Sequence, residues 1–227
     1  MQKWWKWLVG AVAVVVVAGV GGPFVYIHFI EGPAPAKLTL KSTAPAGAAL
    51  TASQVDGTWT VGSGSQAGYR VQEVLAGQNN TAVGRGDGVT GSLQIAGTKV
   101  TMASFTVNLT TVVSDQSERD VQFNGRIMDT AQFPKATFTL TKPIDLGSVP
   151  RLNQKIAVKA VGTLLMHGVT KPVTASMQAE DAGSTISISG EIPVVFANWN
   201  IANPSFGSFV KTQNNGLVEF LLKTTKS

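Results

Sequence analysis

From Asp56 to the carboxyl end, apolar and polar residues alternate with a period of two, a pattern that half-buried β-strands satisfy and helices do not. Trp59 and Val61 stand against Thr58 and Thr60, and Phe105, Val107 and Leu109 against Thr106, Asn108 and Thr110. Ala136, Phe138 and Leu140 alternate with Thr137, Thr139 and Thr141, and similar runs occupy residues 69–74, 83–95, 156–166, 173–177, 186–196 and 217–222. Turns are expected at residues 77–80, 97–99 and 168–171, and the phase slip at Ala103 and Ser104 predicts a bulge. Only 14% of the chain is charged, while Thr, Ser, Gly and Val abound, which suits pleated strands better than surface helices. The fold class read from this is all-β: an antiparallel barrel of about eight strands, the size at which a closed barrel encloses a small ligand. A two-sheet sandwich shares the pattern.

One stretch breaks the alternation. Residues 117–139, SERDVQFNGRIMDTAQFPKATFT, read as a short helix feeding a strand. Asp115 is the candidate N-cap with Glu118 three residues on, and Phe123 and Ile127 are spaced to share one helix face. That face either lids the barrel or completes its core.

At the amino end, residues 7–30, WLVGAVAVVVVAGVGGPFVYIHFI, carry His28 as their only titratable side chain. The run exceeds the roughly 20 residues that span a hydrocarbon core and the roughly 7–15 of a cleaved signal. It reads as one transmembrane helix, with an uncleaved anchor preferred to a cleaved signal. Lys3 and Lys6 precede it and Glu31 follows it, which puts residues 1–6 in the cytoplasm and the rest outside. Residues 31–55, with Pro33, Pro35 and Pro45 among small residues, read as a flexible linker, and residues 56–227 as the folded domain.

The same composition excludes several chemistries. Without cysteine there is no disulfide, thiolate metal site or thiol nucleophile. A net charge of +5 without a dense basic run gives no nucleic-acid footprint. His167 has no second histidine outside the apolar run, so neither a metal site nor a cofactor is expected. No serine sits in a nucleophile elbow. Arg85-Gly86-Asp87 reads as turn chemistry.

Three segments carry a family likeness. Glu118-Arg119-Asp120, then residues 132–138 (QFPKATF), then residues 162–173 (GTLLMHGVTKPV) resemble, in order and separation, signature segments of the YceI-like, polyisoprenoid-binding family. The likeness covers roughly residues 56–223. It implies a lipocalin-like barrel whose lumen takes a long isoprenoid or other lipid chain. This chain departs from the family pattern at residues 121–125, VQFNG, where basic or hydroxyl-bearing residues are common, and at residues 197–200, ANWN, where an arginine-rich strand is expected.

The combined reading is a membrane-anchored, extracytoplasmic lipid-binding protein and not an enzyme. Phe105, Val107, Phe123, Ile127, Phe133, Phe138, Leu164, Met166 and Phe196 are the candidate apolar lining, and Arg119, Asp120 and His167 the candidate polar rim. The expected partners are an isoprenoid, polyprenyl or quinone-like lipid and the cytoplasmic membrane, with a homodimer left open. The alternative is an exported interaction module whose barrel is packed solid, and a lipid-acting enzyme would need a titratable cluster near His167 or Asp120.

Overall fold

The computed structural model describes residues 33–41, 44–75, 77–207 and 210–227. The apolar run at residues 7–30 lies outside these, and among the described residues no helix is long and apolar enough to cross a membrane. The first strands are β1 (Gly57–Val61), β2 (Gln66–Leu75), β3 (Gln78–Gly86), β4 (Val89–Ala96), β5 (Lys99–Asn108) and β6 (Val113–Ser114). They are followed by β7 (Lys135–Leu140), β8 (Ile144–Asp145), β9 (Ile156–Met166), β10 (Val169–Asp181), β11 (Thr185–Val195), β12 (Val210–Thr212) and β13 (Asn215–Lys226).

Eight of these form a closed antiparallel barrel in the order β1, β4, β5, β7, β9, β10, β11 and β13, with β13 returning to β1. The long β13 has two neighbours on one edge. Its first half, Leu217 to Leu221, pairs with β2, and its last residues, Thr224 to Lys226, pair with β1. The change of partner is fixed by Ser65, whose hydroxyl accepts from Lys223 N at 2.9 Å and donates to Gly62 O at 2.8 Å. Above that corner, β2, β3 and β6 form a flap.

Strand parity decides which residues enter the lumen. Along β9 the buried positions are Ala160, Gly162, Leu164 and Met166, whereas Ala157, Lys159 and Leu165 are exposed. The β9–β10 hairpin turns on His167 and Gly168, both at positive φ (50° and 74°), the conformation that matches strand twist in a two-residue turn. Residues 169–171, expected in the turn, are therefore strand, and so are residues 78–80. The expected bulge exists but not at Ala103 and Ser104. Ile95 faces Val100 while Gln94 faces Met102, so Thr101 is the extra residue, turning Met102 out and Ala103 in.

The two barrel ends are closed differently. At the floor, α1 (Ala52–Val55) lies under Trp59, which is wholly buried and donates from Nε1 to Val55 O at 2.8 Å. At the other end, α2 (Ser117–Gln122) continues through a π-helical turn (Phe123–Ile127) to form a lid. The N-cap is Gln116 without a side-chain bond, and not Asp115, because the Asp115 carboxylate is taken by Arg119 one turn along the helix.

The segment expected to be a flexible linker lies, in its described part, along the outer wall. Arg70 and Arg85 both bind the Glu219 carboxylate, at 3.1 and 2.7 Å, on the outer faces of β2, β3 and β13. Each arginine also donates to a carbonyl of this strap, Arg70 to Pro35 at 2.6 Å and Arg85 to Ala36. Lys37 pairs with Glu191 at 2.7 Å, Leu40 is buried, and Gly47 N donates to Leu152 O at 2.7 Å. The strap is held largely through its backbone, with Lys37 and Leu40 adding side-chain anchors, so a low apolar content does not leave it loose. Arg85 is thus an ion-pair residue on β3; only Asp87 of the Arg-Gly-Asp triplet lies beyond the strand.

Candidate functional site

Between lid and floor the barrel encloses a cavity of about 680 Å³. That is within the range of about 300–1,000 Å³ usual for small-molecule sites. Its walls are inward positions of the ring and flap, among them Leu93 and Ile95 of β4, Phe105 and Val107 of β5, and Ile188 and Ile192 of β11. Small residues widen the middle. Ala160 of β9 and Ala175 of β10 are paired in register, and both line the void.

Eight of the nine residues expected in the lining face this cavity: Phe105, Val107, Phe123, Ile127, Phe138, Leu164, Met166 and Phe196. Phe133 does not. It lies one step out of phase with the inward Ala136 and Phe138, and its ring packs on His167 with centroids 4.7 Å apart.

The three expected rim residues separate. Arg119 lines the cavity at the lid, held by Asp115 and by Glu73 at 3.5 Å. Asp120 turns away, accepting from Ser114 N at 2.8 Å to tie lid to β6. His167 also faces elsewhere: its Nδ1 donates to Trp199 O at 3.0 Å, fixing the hairpin to the turn Phe196–Trp199. Neither His167 nor Asp120 lines the cavity.

Polar groups meet the cavity at its two ends. The lid end holds Glu73, Gln116, Glu118, Arg119, Gln122 and Arg126. The floor holds Gln154, Glu180 and Asp181. Burial pushes the Asp181 carboxyl upward in pKa, against the hydrogen bond from Gly183 N at 2.7 Å and the charge of Lys226. Glu180 Oε2 is buried without a hydrogen-bond partner among the described residues. These carboxylates had a local signal, two adjacent acids ending an otherwise alternating strand. Tyr69 was also unforeseen as a lid contact; its ring stacks on Phe123 and burial raises its phenol pKa, with Arg119 opposing. Among the described residues no group of three or more His, Asp or Glu is placed to hold a metal.

The YceI-like domain model matches residues 59–223, nearly all of the barrel with its lid. The chain belongs to the YceI-like family. The chain spans less than half the length of two relatives it matches in sequence. A UPF0312 protein of Vibrio campbellii is 36% identical over 91 residues, 40% of this chain and 43% of that protein. A UPF0312 protein of Vibrio vulnificus is 37% identical over 90 residues, 39% of this chain and 42% of that protein. In three dimensions the YceI-like barrel is similar to a polyisoprenoid binding domain from Saccharophagus degradans implicated in plant cell wall breakdown. That likeness has a TM-score of 0.62 at 17% identity and covers 75% of this chain and 99% of the other. It is also similar to BcnA of Burkholderia cenocepacia, with a TM-score of 0.52 at 20% identity over 69% of this chain and 96% of the other. At such identities the likeness is one of fold.

Proposed function

We propose that this protein binds a long apolar chain, of the isoprenoid, polyprenyl or quinone-like class, in its barrel lumen and carries or sequesters it outside the cytoplasmic membrane. The observation that carries this reading is the cavity of about 680 Å³ with apolar walls and polar groups confined to its ends. Each methylene moved from water into such a void gains about 0.8 kcal/mol, so a long tail needs few polar contacts to bind. The solved Saccharophagus domain, described as polyisoprenoid binding, has the same fold and supports the ligand class. A solid core, the alternative of a packed interaction module, would not leave this void.

In this reading residues 7–30 cross the cytoplasmic membrane once, with the amino end inside and the barrel outside. Lys3 and Lys6 on the inner flank support that orientation. The domain without residues 1–30 is purified without detergent, extracted with organic solvent, and the extract analysed by mass spectrometry. A stoichiometric long-chain lipid is expected. An extract free of lipid, from protein that also fails to take up added polyprenol, refutes the carrier and leaves the interaction module.

A further inference from the structure

Six large apolar side chains stand exposed among the described residues, and their positions are not scattered. Val121 lies on the lid, Leu165 and Val195 near the lid-side ends of β9 and β11, Phe206 at the cavity mouth, and Val113 on β6 leading into the lid. Only Met102 is in the half nearer the floor, opposite Gln94. Val121 and Phe206 are 68% and 69% exposed, far from the burial usual for large apolar side chains. Exposed apolar groups gathered at one end mark an interaction surface.

The strap shows what that surface meets. It begins at the level of Arg70, which pairs with Leu217 near the lid-side end of β13, and descends past Glu191 to α1 under the floor. Followed backward, the chain therefore rises toward the mouth. Ile30, the last residue of the apolar run, is five positions before Pro35, at most about 18 Å of extended chain. The Arg70 guanidinium that holds Pro35 sits on Glu219, and from Glu219 to Lys226 the barrel wall extends about 23 Å along the strand, or about 17 Å after ordinary strand tilt. A bilayer at the mouth lies along the course the chain already follows at Pro35, whereas one at the floor would require the connection to reverse and run almost fully extended.

From these two observations we infer that the lid and mouth form a bilayer-docking surface, with Val121, Val195 and Phe206 inserted into the lipid and the cavity opening onto it. This rests on the reading of residues 7–30 as a membrane anchor. The exposed Arg126, Lys171 and Lys211 at the same end have long stems that let their charges reach the headgroups while the apolar groups insert. Docked in this way, a lipid tail passes from bilayer to lumen without crossing water.

The chain has no cysteine, so single substitutions report cleanly. Val121→Cys, Phe206→Cys and Met102→Cys full-length proteins, each carrying a nitrobenzoxadiazole dye, are reconstituted into phosphatidylcholine vesicles containing doxyl-labelled lipid. All three positions are exposed, so folding is preserved, and circular dichroism checks it. Dyes at Val121 and Phe206 are expected to shift to the blue and be quenched at least about twofold more than the dye at Met102, matching burial about 5–10 Å into the interface. Equal quenching at the three positions, or stronger quenching at Met102, overturns the docking surface. Uptake of cis-parinaric acid by the unlabelled protein is measured in parallel: uptake without selective quenching sinks the docking but keeps the carrier, and selective quenching without uptake does the reverse.

Discussion

Tyr69 of β2 stacks on Phe123 of the lid, ring centroids 5.1 Å apart and planes 20° from parallel. The contact joins the flap to the lid over the cavity, with Asp120 and Ser114 forming the second tie. Phe123 is 8% exposed, so Phe123→Ala should cost about 3–5 kcal/mol of stability. A denaturant midpoint that does not move would show that the lid is held by its backbone alone. Release of a bound fluorescent fatty acid should also become faster in this variant.

The stack depends on a glycine. A Cβ built on Gly84 would lie 2.4 Å from Tyr69 Cε1, and the Phe123 ring leaves the phenol little room to move. Gly84→Ala is therefore expected to cost about 1–3 kcal/mol, as overpacked sites do. In a Tyr69→Ala background the same substitution should be nearly neutral. A double-mutant cycle measures the difference, and simple additivity of the two substitutions would contradict the clash.

Much of the wall was legible in the sequence because strand side chains alternate strictly. Phe105, Val107, Phe138 and Leu164 all face inward as parity requires. Parity failed at Thr101, where one added residue exchanges the faces, and at Phe133, which precedes its strand out of phase with it. Contacts remote in sequence left no local trace. Arg85 looked like turn chemistry beside Gly86 and Asp87, but its partner Glu219 is 134 positions away. The strap was hidden for another reason: it is held largely by its carbonyls, which every sequence has and no composition reveals. The expected helix cap failed because Arg119 competes for the Asp115 carboxylate.

Glu219 neutralises two arginines while its own side chain is 3% exposed. Removing one member of a buried charge cluster leaves the others uncompensated, at a cost of about 3–5 kcal/mol. Glu219→Gln should lose stability of that order. Because Arg70 and Arg85 also hold Pro35 and Ala36, it should expose residues 33–41 to protease before the barrel unfolds. Global unfolding with the strap still protected would show that the strap is held independently of the cluster.

Asp181 gives the stability a pH dependence of definite sign. Burial raises its pKa in the fold above the ordinary value of 3.8, so between the two values the folded state binds more protons than the unfolded. Stability contributed by this group therefore falls as pH rises through that window and stays lower at neutral pH. Asp181→Asn, which keeps an acceptor for Gly183 N, should raise the melting temperature at pH 7, and the gain should disappear below about pH 3.8, where both states are protonated. A gain of the same size at pH 3 would trace it to packing and not to charge.

Ala160 and Ala175 face each other across β9 and β10, and both line the cavity with no more than a methyl group. Both are 1% exposed to solvent, and both point into the void. Ala175→Phe should put a ring across the lumen halfway between lid and floor and leave the outer surface unchanged. A ligand tail long enough to pass that level would lose the methylenes beyond it, and each is worth about 0.8 kcal/mol. Losing three would weaken binding by about 2.4 kcal/mol, roughly fiftyfold. A short-chain probe that ends above the ring should bind as before, so the measurement is a series of alcohols of increasing chain length, titrated against both proteins. If affinity in the unmodified protein rises with each added carbon and in Ala175→Phe levels off partway, the lumen is the site. If the two proteins follow the same curve at every length, the chain binds somewhere other than the cavity between lid and floor.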